Sequence, residues 1–131
     1  MPTFDNDAVV RQHFPDRLRA AGITVETRDI DENEALPALI GRLIRMANIL
    51  NNDPHTDTAK KLAEVTTTLA EVQLLTGVSD SELAEESARL AAADGSLRPH
   101  TYITKTEVPD GSEWLENPFY QDLTPHERHW V

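Results

Sequence analysis

From residue 5 to residue 94 the apolar positions recur mostly at helical spacing, with one interruption that alternates like a strand. The first helical stretch, about Asp5 to Ala21, places Val9, Val10, Phe14, Leu18 and Ala21 on one face, with Pro15 breaking a turn and Gly22 as its C-cap. Residues 23–30 then alternate Ile23, Val25 and Thr27 against Thr24, Glu26 and Arg28, the period of a half-buried strand. A second helix opens in Asp31-Glu32-Asn33-Glu34, where acids suit a positive helix N-terminus. It continues through Leu36, Leu39, Ile40, Leu43, Ile44, Ala47 and Leu50. Pro37 is tolerated only because it lies near the first turn. After the turn Asn51-Asn52-Asp53-Pro54-His55, a third helix capped by Thr56 or Asp57 runs to Gly77, carrying Leu62, Val65, Leu69, Val72 and Leu75 in a stripe. So short a connection makes these two helices antiparallel.

Ser79-Asp80-Ser81-Glu82 has capping-box spacing and opens a fourth helix that ends at Asp94-Gly95, with a strongly acidic exposed face. Residues 98–108 read as a second strand, the obvious partner for 23–30 in a two-stranded ribbon. From Pro109 onward, Gly111, Pro118 and Pro125 interleave with Trp114, Phe119, Tyr120 and Trp130. There are too many breakers for a helix and too many aromatics for plain disorder, so an irregular tail that packs on something is expected. The expected architecture is mainly α: a four-helix bundle with a small β-ribbon over residues 1–108, followed by a C-terminal extension over 109–131. No internal repeat or low-complexity run is present.

Composition narrows the function more than the fold. The 131 residues, 39% hydrophobic and 27% charged, suit one domain, and 5% aromatics make its core aliphatic. Twelve Lys and Arg against 23 Asp and Glu leave a net charge of −11, a surface that repels nucleic acid and anionic membranes. The absence of cysteine excludes disulfides, thiolate nucleophiles and thiolate-bound metals. The opening MPTFDNDAVV lacks the basic and apolar regions of a signal peptide, and no apolar run nears the roughly 20 residues of a membrane span. A cytoplasmic protein is the expectation. No phosphate loop, GxSxG or Rossmann glycine fingerprint occurs.

The order helix, strand, two antiparallel helices, shorter helix and closing strand resembles the MazG-like, all-α nucleoside triphosphate pyrophosphohydrolase superfamily over roughly residues 8–103. Val9-Val10-Arg11-Gln12-His13-Phe14-Pro15 is similar to the family's opening at Arg11 and Pro15, although Ala8 and His13 stand where the family has lysines. Arg42 through Leu50, followed by Lys60-Lys61-Leu62-Ala63-Glu64-Val65, resembles its central helix pair. Asp94-Gly95-Ser96-Leu97 and Tyr102-Ile103 resemble its last element. The resemblance implies a homodimer and an active site in which acids on the central helices hold Mg²⁺ against a triphosphate.

Those acids are missing here. Arg45, Met46 and Asn48 or Ile49 occupy the first helix's positions, Lys61 and Glu64 the second's, so Glu64 alone remains acidic. The expectation is therefore a degenerate member that has lost Mg²⁺-dependent pyrophosphohydrolysis, with no metal and no cofactor. Between Leu36 and Lys61 the only acids are Asp53 and Asp57, whereas Arg42, Arg45, Lys60 and Lys61 form a positive island. Arg45 and Lys61, bridged by Glu64 and aided by Arg11 and Arg98, would hold an anionic small molecule such as a nucleotide or biosynthetic intermediate. The bland alternative is an ion-pair cluster that satisfies itself.

Two further readings remain open: a metal-independent enzyme using Glu64 as a base beside His13 or His100, and an active pyrophosphohydrolase. Thr68, one turn after Glu64, offers its hydroxyl either to a pocket or back to its own helix. His126 and His129 are spaced too closely for an HExxH metal motif. A third class is an interaction protein whose aromatic tail docks on a partner.

Overall fold

The computed structural model describes residues 1–121. Its helices are α1 (Phe14–Ala20), α2 (Glu32–Asn52), α3 (Thr58–Thr76), α4 (Asp80–Asp94) and the four-residue α5 (Pro118–Gln121), with a 3₁₀ turn over Glu113–Glu116. The chain divides into two compact units, Met1–Leu90 and Ala91–Val131.

In the first unit α2 and α3 pack together as a hairpin. The expected local signals set its ends. Asp31 caps α2, its Oδ1 accepting from the Glu34 amide at 2.9 Å. Gly77 closes α3 in the left-handed region at φ 76°. The Ser79–Glu82 capping box forms, with the Glu82 amide donating to Ser79 Oγ at 3.1 Å. Asp57 precedes α3 at φ 49°, without a side-chain cap; the hydroxyl of Thr58 donates instead to the Pro54 carbonyl at 2.7 Å.

The first helix is shorter than its periodicity predicts. Pro15 lies in the first turn of α1, where its missing N–H costs nothing, so it starts the helix rather than breaking it. Residues 1–11 form no helix, and this N-terminal arm contains Asp7 in the left-handed region at φ 42°.

The expected β-ribbon is not formed: no strand occurs among the described residues. Residues 23–30 and 98–108 make local bonds in place of a ladder. The Val25 carbonyl accepts from Arg19 Nη2 at 3.3 Å, the Arg98 carbonyl from Ser96 Oγ at 2.8 Å, and the Pro99 carbonyl from Thr101 Oγ1 at 3.4 Å. β-propensity without a partner edge therefore leaves both stretches irregular.

Among the described residues no apolar side chain is fully buried, and the one buried residue is Thr68, 2% exposed. Leu36, Leu39, Leu43, Met46 and Leu50 of α2 and Val65 and Val72 of α3 are half-buried. The opposite flank of the hairpin is open. Ile40 (42% exposed) and Ile44 (58%) each stand about 160° round α2 from Arg42, and Leu62 (49%) stands about 160° round α3 from Glu64, at roughly 100° per residue. Leu69, also on α3, is 48% exposed.

In the second unit, Tyr120 packs edge-on against Phe119 with centroids 5.0 Å apart, and its hydroxyl bonds Thr106 Oγ1 at 2.9 Å. Trp114 is exposed. No described helix is long and apolar enough to cross a membrane.

Candidate functional site

The polar centre of the first unit is built on Glu64, Thr68 and Arg42. Glu64 and Thr68 lie one turn apart on α3, and the Thr68 hydroxyl donates to the Glu64 carbonyl at 2.7 Å. Of the two roles open to that hydroxyl, the structure gives it the helix-internal one. Across the hairpin, Arg42 spreads its guanidinium over three acceptors: Thr68 Oγ1 at 3.2 Å, the Val9 carbonyl at 3.3 Å and Glu64 Oε2. Arg11 completes the set by donating from Nε to Glu64 Oε1 at 2.7 Å.

Both Glu64 oxygens thus face guanidinium donors. The hydrogen bond from Arg11 is the largest influence on its pKa; burial opposes it, but with the charges of Arg11, Arg42 and Lys60 added the value is held below that of an ordinary glutamate. A carboxylate held ionised between two arginines is a poor proton acceptor, which weighs against its use as a general base.

Sequence reasoning placed Glu64 between Arg45 and Lys61; its cationic partners are Arg42 and Arg11 instead. Lys61 turns to the interhelical loop, where Nζ donates to the Asp53 carbonyl at 2.5 Å and lies 4.0 Å from Asp53 Oδ2. Asp53 has a lowered pKa, chiefly through a hydrogen bond from the Thr56 side chain, with the His55 amide and Lys61 helping. Arg42 was legible as part of the positive island, but its role as the hub was not. No spacing in the sequence told Arg42 from Arg45 as the cation on α2 that faces Glu64 and Thr68.

Arg45 stands elsewhere. With Asp7, Ala8 and Val9 of the arm and Pro37, Ala38, Gly41 and Arg42 of α2, it lines a cleft of about 170 Å³. It makes no ion pair or hydrogen bond among the described residues. His13 precedes α1 and is exposed; Arg98 and His100 belong to the second unit and are also exposed. His126 and His129 lie outside the described residues. No group of three or more His, Cys, Asp or Glu side chains suited to a metal ion occurs among the described residues.

No family model matches the chain, and neither a curated protein nor a solved structure matches it.

Proposed function

We propose that this chain is a degenerate MazG-like protein that binds an anionic small molecule and does not hydrolyse nucleoside triphosphates through Mg²⁺. The observation that carries the reading is Arg45. In a chain with 23 acids and 12 Lys and Arg, it lines a cleft beside Arg42 and pairs with no carboxylate among the described residues. A guanidinium left this way offers a fork for a carboxylate or phosphate. Arg42 adds positive potential but has its own donors committed to Glu64, Thr68 and Val9. At about 170 Å³ the cleft suits a small anion or one phosphate group of a nucleotide; drug-sized ligands occupy roughly 300 Å³ or more.

The same reading includes a homodimer. The flank bearing Ile40, Ile44, Leu62 and Leu69 leaves the helix pair without a closed core, and a second hairpin laid on it makes a four-helix bundle. A two-fold contact of this kind is self-complementary, so one apolar flank suffices.

The test is calorimetric titration with phosphate, short carboxylates and a deoxynucleoside triphosphate panel, with and without Mg²⁺, followed by a pyrophosphate-release assay. Metal-free binding that Arg45→Gln weakens at least tenfold, with no pyrophosphate released, is the expected result. Mg²⁺-dependent release would return the chain to the active pyrophosphohydrolases.

A further inference from the structure

The cleft that holds Arg45 has a second wall of opposite sign. Asp7 lines it from the arm, and neither Asp7 nor Arg45 makes an ion pair or hydrogen bond among the described residues. Two exposed, opposite charges border one small cavity without joining each other, although a direct bridge would satisfy both. The backbone at Asp7 holds φ at 42°, a region few residues other than glycine, asparagine and aspartate enter.

Another residue of the lining is also unusual. Gly41 is an interior residue of α2, where only proline is a poorer helix former. A Cβ built on it meets nothing within 4 Å, so no neighbouring atom in the chain requires the glycine. What its missing side chain does is leave space beside Ala38, one turn before Arg45.

We infer that the cleft takes a small zwitterion, an aliphatic amino-carboxylate whose carboxylate lies on Arg45 and whose ammonium lies on Asp7. The inference rests on the anion-binding reading and narrows it. Arg45 supplies a two-pronged donor for the carboxylate, and Asp7 an acceptor for the ammonium. Ala8, Val9, Pro37, Ala38 and Gly41 also line the cleft, and none of their side chains carries a charge that competes for either end of the ligand. Opposite charges at the two ends also let a neutral ligand approach a chain of net charge −11 without long-range repulsion.

The experiment is an NMR titration of the ¹⁵N-labelled full chain, with glycine, β-alanine, 4-aminobutyrate and 5-aminovalerate set against acetate, propionate, butyrate and valerate at fixed ionic strength. One amino-carboxylate is expected to bind at least tenfold more tightly than its matched carboxylate, shifting the amides of residues 7–9 and 38–45. Asp7→Asn should erase that preference while leaving carboxylate binding in place, and Arg45→Gln should weaken both. Equal affinity for the matched pairs, or a preference that survives Asp7→Asn, overturns the zwitterion and leaves the anion reading standing. If no carboxylate, amino-carboxylate or phosphate perturbs the neighbours of Arg45, the anion reading falls and the inference falls with it.

Discussion

Glu64 divides its carboxylate between two arginines from distant parts of the chain: Oε1 accepts from Arg11 at 2.7 Å, and Oε2 faces Arg42. Through this one side chain the N-terminal arm and both helices of the hairpin are tied together, because Arg42 also holds the Val9 carbonyl. Glu64→Gln should destabilise the first unit by about 1.5–3 kcal/mol, the range for losing hydrogen bonds to a charged group. Urea unfolding of the two proteins at neutral pH measures it.

The same pair predicts a pH dependence with a definite sign. The folded state lowers the Glu64 pKa, so the unfolded chain binds the proton more readily. Its contribution is complete above glutamate's unfolded value of about 4.3 and fades as pH falls toward and through the lowered folded value. The stability gap between wild type and Glu64→Gln should therefore shrink as pH falls below about 5, as paired urea melts at descending pH would register.

Gly41→Ala should stabilise α2 by roughly 0.5–1 kcal/mol, since the added methyl meets no atom within 4 Å and alanine is the better helix former. A rise in thermal midpoint shows the effect. A fall would mean that something outside the single chain lies against that position.

Ile44→Asp, on the open flank of α2, should convert a concentration-dependent dimer into monomer in sedimentation equilibrium. Thr67→Asp, elsewhere on α3 at an exposed polar position, should leave the association state unchanged. A monomeric wild-type chain would remove the homodimer.

Ser79→Ala removes the acceptor for the Glu82 amide and should cost α4 about 1 kcal/mol. Faster hydrogen exchange at the Glu82 amide reports the loss.

The helix pair was legible because its limits are written in short-range chemistry: Asp31 at one start, Gly77 at one end, Ser79 with Glu82 at another start. The arm was not. Val9 and Val10 have helical spacing to Phe14, yet they lie before the proline that opens α1, and Val9 offers its carbonyl to Arg42 instead. The ribbon misled because alternation at Ile23, Val25 and Thr27 reports a propensity and says nothing about whether an edge exists to pair with. The positive island was visible as composition, but sorting its members required three dimensions. Arg42 and Arg45 differ by three residues, about 60° of helix, and that turn separates a cation held by three acceptors from one with none among the described residues.

The fully sheltered side chain among the described residues is a threonine, and this bears on how sharply the fold melts. Heat capacity and denaturant sensitivity of unfolding both scale with the apolar area newly wetted, and a chain whose leucines and isoleucines are already half in water has little left to expose. A lone chain should give a broad, shallow transition, with a heat-capacity step below the typical 12–15 cal/mol/K per residue. The abrupt, cooperative melting of an ordinary domain of this size would have to come from contacts the single chain does not contain.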